Sequence, residues 1–314
     1  MGIGQRILQG RTRDMKKIDG FKNWLNKDSV SGRLFTLPFL IGLIMFLVVP
    51  MLMSAYYAMC KYNVLTEPTF IGFKNFVDIF HDETFFKSMK VTITYAILAV
   101  PLKLVFALFV AMLLFKSSKL TGFYRTAYYL PSIIGGSVAV AVLWKRLWST
   151  DGVINAILHA IGVNVTVSWL GDVRTALWTL IILTVWQFGS SMLIFLAALK
   201  QIPTSLYEAA EMDGASKVSR FFKITFPLLT PTIFFNLVMQ MIQGFLAFTQ
   251  CYIITQGKPL NSTLFYSVYV YQQSFQFHNT GYAAALAWVM LAFIGLFTGL
   301  LFLTKKLWVY DGGL

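Results

Sequence analysis

The residues best suited to binding chemistry form a stripe of amides. Asn236, Gln240, Gln243 and Gln250, with Ala247 in the gap, are separated by 4, 3, 4 and 3 residues, a spacing that keeps them on one face of a helix. Each amide both donates and accepts hydrogen bonds, so a row of them suits a ligand rich in hydroxyl groups, such as a sugar. Gly244 lowers the wall beside the central pair. Gln187, Ser190 and Ser191 offer similar groups next to Trp186, on which a sugar ring can stack. The same amides also suit plain helix bridging, at roughly 1 kcal/mol apiece. Both readings stay open for each residue alone, whereas the stripe as a group favours a cavity lining. Lys103 follows Pro101 by two residues inside an apolar run. A charge at that depth costs about 2.5–3.5 kcal/mol, so it is expected to face a cavity or a partner. One reading pairs it with carbonyls freed by a kink at Pro101. The other makes it the counter-charge for an anionic sugar.

Other chemistries find little support. His81, His159 and His278 are scattered, and Cys60 and Cys251 lack metal-ligand spacing, so no catalytic or metal site is expected and each thiol reads as free. No phosphate loop of the form GxxxxGK(S/T) occurs, so the chain is not expected to hydrolyse ATP by itself. A net charge of +13 raises the question of a nucleic-acid surface. Against it, 57% of the residues are hydrophobic and only 12% charged, where a soluble domain carries about 25% charged residues. The composition is that of a membrane protein.

The elements that must position these groups are apolar spans. About 20 residues are needed to cross some 30 Å of hydrocarbon, and six runs qualify: roughly Leu34–Ala58, Val91–Phe115, Ala127–Trp148, Ala176–Leu199, Leu228–Ile254 and Tyr282–Thr304. The fold class is all-α, a polytopic protein of six transmembrane helices. Segments 1–33, 116–125, 200–223 and 305–314 hold 8, 3, 4 and 2 Lys or Arg, whereas 59–90, 145–174 and 255–281 hold 4, 3 and 1. Excess positive charge marks the cytoplasmic side, so both termini are expected there. The basic charge is then topogenic, with some contact to anionic lipid, rather than a nucleic-acid surface. The first apolar run follows 33 polar and basic residues and exceeds the ~7–15 residues of a signal-peptide core, so it reads as a permanent anchor. Gly295 and Gly299 have GxxxG spacing and are expected to serve helix packing.

The segment from Ile202 through Ser216 to Pro227 is the most informative. It reads as a short helix, a glycine stop and a second short helix. Ser205 and Glu208 have the S-x-x-E spacing of a capping box, with Pro203 just upstream. Gly214 can take positive φ, and Ser216 can cap the next helix. Ala209 and Ala210 leave one side bare enough for another protein to approach. A compact loop, with Glu208 used only in its own cap, is the plainer alternative.

The ordered string Glu208-Ala209-Ala210, three residues, Gly214, nine residues, Ile224, one residue, Phe226-Pro227 resembles the EAA signature of permease subunits from binding-protein-dependent ABC importers. Phe226 stands where Leu is usual. Gly72–Phe76, Trp144 and Trp148 before Asp151–Asn155, Leu196–Leu206, Thr255–Thr263 and Gly281–Ala285 extend the resemblance to carbohydrate permeases related to maltose and glycerol-phosphate importers. That resemblance implies a cytoplasmic coupling helix, with Glu208, Ala209, Ala210, Asp213 and Gly214 at an ATPase cleft. It also implies sugar contacts on the spans flanking the loop, and a bacterial or archaeal plasma membrane. The implied partners are a second, related permease in a heterodimer, an ATPase dimer carrying ATP and Mg, and an extracytoplasmic sugar-binding protein. The expected organisation is a basic segment 1–33, a permease domain 34–304 with the coupling loop at about 200–227, and a tail 305–314. A permease for another solute, or a channel or carrier driven by ion gradients, is the alternative, and the latter gives no reason for the loop.

Overall fold

A computed structural model describes residues 28–115 and 120–310. The basic stretch 1–27, loop residues 116–119 and the last four residues lie outside the described residues. The chain divides into two units, 1–57 and 58–314. In the first, α1 (Asp28–Leu43) runs through a widened turn (Ile44–Val48) into α2 (Val49–Ala58). Val49 N–H reaches back five residues to Ile44, just before Pro50, which has no N–H to give the ladder. Phe35, Phe46 and Leu52 along this helix are exposed. A helix apolar all round suits lipid rather than water.

The second unit begins with a small hairpin, β1 (Cys60–Lys61) paired antiparallel with β2 (Thr69–Phe70), followed by α3 (Lys74–Ile79) and α4 (Glu83–Leu113). Then come α5 (Thr121–Ile134), α6 (Val138–Leu147), α7 (Val153–Ala160), α8 (Ala176–Trp186) and α9 (Gly189–Gln201). The loop helices α10 (Thr204–Met212) and α11 (Lys217–Arg220) lead through a wide turn (Phe221–Thr225) to α12 (Phe226–Phe245) and α13 (Thr249–Ile254). Helices α14 (Tyr266–Tyr271) and α15 (Thr280–Trp308) complete it. α8, α9 and α12 all pack on α4. Buried Ala96, Ala99, Ala107 and Ala111 give α4 a low-relief surface for them, as close packing in membranes requires. Its N-terminal half is pinned by hydrogen bonding: Tyr266 N–H donates to Thr92 Oγ1 at 2.8 Å, and the Tyr266 hydroxyl donates to the Leu286 carbonyl at 2.8 Å.

Six apolar passages are present among the described residues, but not all are straight. Four stretches are long and apolar enough to cross a membrane: Phe35–Ala58, Glu83–Leu113, Lys217–Ile254, which is interrupted between Phe245 and Thr249, and Thr280–Trp308. The other two are bent pairs. The third passage, expected as one helix over 127–148, bends by 98° between α5 and α6, and the fourth by 42° between α8 and α9. The third break follows from its sequence. Gly135 and Gly136 weaken the helix, and Ser137 caps the next one by accepting from Val140 N–H at 3.3 Å.

Glycine serves opposite purposes at two places. A Cβ on Gly189 would stand 2.3 Å from the Tyr128 carbonyl oxygen and 2.6 Å from Tyr129 Cα, so α9 meets the backbone of α5 only because residue 189 has no side chain. By contrast, a Cβ on Gly295 or Gly299 would meet nothing within 4 Å. The expected packing role of that GxxxG pair is therefore not met within this chain, where neighbouring Leu296 and Leu300 are also exposed. Gly189→Ala is expected to lower the detergent-solubilised chain's melting temperature, at a cost of about 1–3 kcal/mol or more. Gly295→Ala and Gly299→Ala should leave it unchanged. A Gly189→Ala melting temperature equal to wild type would show that this crossing is not tight.

Candidate functional site

Three helix interruptions meet around one carbonyl. Inside an apolar layer, backbone groups freed by a break need partners from the protein. Ser132 on α5 supplies two at once: its hydroxyl donates to the Gln187 carbonyl at 3.0 Å and accepts from Ser190 N–H at 3.0 Å. Reciprocally, Gln187 Nε2 donates to the Gly135 carbonyl at 3.2 Å, and Gln250 Nε2 reaches the same oxygen at 3.5 Å. A Cβ on Gly135 would lie 2.5 Å from the Gln187 side chain. Gln187 and Ser190 of the fourth passage thus meet Gln250 of the fifth, each held by backbone groups or by Ser132. Ser132 and Gly135 were not foreseen, although the Gly135–Gly136 pair was a legible signal. Ser191 Oγ is buried with no hydrogen-bond partner. Trp186 packs on Trp144, with centroids 5.9 Å apart.

The amide stripe divides rather than lining one wall. α12 ends at Phe245 and the chain is interrupted before α13, so Gln250 does not continue the face carried by Gln243. Asn236 is buried, and its Nδ2 donates to the Thr232 carbonyl of its own helix at 3.2 Å. Gly244 meets α4, where a Cβ would lie 3.3 Å from Val100 and 3.4 Å from Ala96. It permits close packing instead of lowering a cavity wall. Ala247 is half-buried, and its carbonyl accepts from Ser267 Oγ. Gln243 alone is exposed. Lys103, 7% exposed, donates to Gln240 Oε1 at 2.7 Å. The recorded partner is thus an amide on α12 rather than a carbonyl near Pro101, and two ammonium protons remain beyond that bond.

The loop between α9 and α12 has the expected helix–stop–helix form. Gly214 takes φ +74°. Gly214 N–H donates to Glu211 O at 3.0 Å and Ala215 N–H to Ala210 O at 2.8 Å, the paired bonds of a Schellman stop. Ser216 caps α11 by accepting from Ser219 N–H at 3.2 Å. The capping box does not form: α10 starts at Thr204 behind Pro203 and has no side-chain cap, because Ser205 already lies inside the helix. Glu208 is therefore left unspent. Glu208, Ala209, Asp213 and Gly214 are exposed and Ala210 is partly so. Met212, 89% exposed, adds an apolar side chain to this surface that sequence reasoning missed. The Tyr207 hydroxyl ties the loop to Thr225 Oγ1, just before α12, at 2.9 Å, and an Arg220–Glu211 ion pair at 3.1 Å joins α11 to α10.

A further polar cluster lies at the N-terminus of α4. Asp82 accepts from Thr84 N–H at 2.8 Å, from the Tyr282 hydroxyl at 2.8 Å and from the Tyr269 hydroxyl. Burial raises its pKa, but these hydrogen bonds outweigh it and hold the carboxyl below its ordinary value. The cluster fixes α4 to α14 and α15. No group of His, Cys, Asp and Glu that could hold a metal occurs among the described residues.

The exposed helix–stop–helix loop, the bent apolar passages and a lysine paired inside an apolar span describe a multi-pass membrane protein. Residues 83–306 match the family described as binding-protein-dependent transport system inner membrane component, and the chain belongs to it. It is 52% identical, over 91% of its length and 94% of the relative's, to the probable ABC transporter permease protein YesP of Bacillus subtilis (strain 168). It is 32% identical to the probable starch degradation products transport system permease protein AmyD of Thermoanaerobacterium thermosulfurigenes, covering 93% of this chain and 98% of that one. Among solved structures, a chain of a bacterial ABC transporter involved in the import of the acidic polysaccharide alginate has the same fold. The TM-score is 0.78 at 23% identity, over 91% of this chain and 98% of the other.

The Lys103–Gln240 bond and the exposure of Gln243 separate packing from pathway. Gln240→Leu strands a buried cation and is expected to destabilise the chain by about 3 kcal/mol or more. Lys103→Met combined with Gln240→Leu should recover most of that loss in the same thermal assay. Gln243→Leu should leave the melting temperature alone and depress uptake. A Gln240→Leu variant as stable as wild type would mean that the ammonium reaches water.

Proposed function

We propose that this chain forms half of the translocation pathway of an ATP-driven importer of saccharides, oligosaccharides above all. The observation that carries the reading is the exposed α10 surface, with Glu208 free of any capping duty and the helix stopped sharply at Gly214. Such a surface suits a cleft in a separate ATPase subunit that binds ATP and Mg. A second, related permease completes the pathway, and a binding protein delivers the saccharide from outside. Both termini and the coupling loop are cytoplasmic, on the strength of the charge asymmetry. The names of relatives such as AmyD support a saccharide cargo, as do the amides Gln187, Gln243 and Gln250.

Alternating access follows from these parts. ATP draws the nucleotide subunits together and moves α10. The Tyr207–Thr225 and Glu211–Arg220 ties pass that movement to the base of α12, and α12 carries it to α4 through Gln240 and Gly244. The cavity then opens outward to accept the saccharide, and hydrolysis resets it.

Glu208→Lys reverses the charge of the docking surface, and Gly214→Pro removes the positive φ that stops α10. Both variants should insert normally and lose saccharide-stimulated ATP hydrolysis by about 5- to 150-fold, the span of about 1–3 kcal/mol of coupling. Full stimulation in both would remove the reading.

A further inference from the structure

One cavity lies away from the amide junction. It measures about 740 Å³ and is lined among others by Lys145, Trp148, Thr150, Asp151, Ser168 and Lys258. These residues come from loops 145–174 and 255–281, which share the extracytoplasmic side in the proposed topology. The volume falls in the ~300–1,000 Å³ range of small-ligand sites. Asp151 is engaged by Arg146 at 3.1 Å, whereas Lys145 and Lys258 are exposed and have all three ammonium protons to offer hydroxyl or carboxylate oxygens.

Trp148 also begins a row. Its indole lies 6.1 Å from that of Trp144, which lies 5.9 Å from that of Trp186, and Trp169 packs edge-on to Trp148 at 5.2 Å. Two of the rings are fixed by their N–H groups: Trp144 Nε1 donates to the Thr179 carbonyl at 3.0 Å and Trp169 Nε1 to Asn155 Oδ1 at 2.9 Å. All four side chains remain partly exposed. The inner end of the row, Trp186, is the neighbour of Gln187, whose amide sits on the Gly135 carbonyl. An aromatic belt at the membrane surface would scatter tryptophans around the protein. Here they run in one file to the amides from a cavity whose largely apolar wall, with Leu170, Pro259 and Leu260, is edged by Lys145 and Lys258.

We propose that the cavity beside Trp148 is a saccharide-binding subsite at the outer face, and that Trp148, Trp144 and Trp186 form a stacking track from it to the helix-break amides. Indole faces take the apolar faces of sugar rings, while Lys145, Lys258, Thr150 and Ser168 take hydroxyl groups. The inference rests on the saccharide reading above and adds the place where the cargo first contacts this chain.

The test uses tryptophan emission of the purified full chain in lipid nanodiscs. Maltotriose, lactose, arabinotriose and an alginate trisaccharide serve as probes, with glycerol as the control. At least one saccharide should change the emission saturably, and glycerol should not. The change should be lost in Trp148→Leu and in Lys258→Glu, a surface substitution that leaves folding intact, and should persist in Trp178→Leu, outside the row. No saturable change with any of the four, or a change that survives in Lys258→Glu and Trp148→Leu, overturns the subsite. ATP-driven uptake of any probe without such a change removes the subsite while leaving saccharide import standing.

Discussion

A helix that breaks inside lipid exposes peptide groups that water does not reach, and this constraint organises the permease. Each unpaired group costs several kcal/mol in hydrocarbon. The third, fourth and fifth passages all break, and Ser132, Gln187 and Gln250 close the exposed groups around Gly135. The same side chains that repair the backbone are the polar ones best suited to a sugar. An amide bonded to a carbonyl at 3.5 Å, as Gln250 is, gives up little when it turns to a ligand hydroxyl. Repair and recognition therefore draw on one set of groups.

Around this junction the chain is unevenly rigid. α4 is continuous over 31 residues, lined with alanines where its neighbours cross, and fixed at its N-terminal end by Asp82, Tyr269 and Tyr282. α12 lies against it through Gln240 and Gly244 and leads back to the loop that carries α10. A displacement at α10 therefore has a short covalent and hydrogen-bonded route to the α4–α12 contact. The broken passages beside that contact are where a change of shape costs least. Coupling and gating are in this account consequences of where the sequence allows helices to stop.

Much of this was legible in the sequence, and the failures have physical causes. Apolar length located the six passages because lipid thickness imposes it. The glycine stop at Gly214 and the serine cap at Ser216 were readable because each needs only a local backbone geometry. The capping box failed because Ser205 competes with Pro203, whose fixed φ makes it the N-cap and places the helix start two residues earlier. The straight third span failed because hydropathy is blind to direction: Gly135 and Gly136 are apolar enough to pass and flexible enough to turn the chain by 98°. The amide stripe split because periodicity assumes an unbroken helix, and α12 stops at Phe245. Lys103 was read as facing a cavity or a partner, and that Gln240 lies opposite it depends on a crossing that spacing does not encode. The indole row was equally hidden, since Trp148 and Trp186 are far apart in the chain.

The central claim is that transport through this chain is driven by ATP on separate subunits and fed by a binding protein. Proteoliposomes containing the assembled permease pair and its ATPase, supplied with saccharide-loaded binding protein, test it directly. Accumulation of saccharide against its gradient is predicted only when ATP is present on the ATPase side and binding protein on the other. Accumulation driven by an ion gradient, in vesicles lacking the ATPase, would contradict the account and make the chain a carrier in its own right.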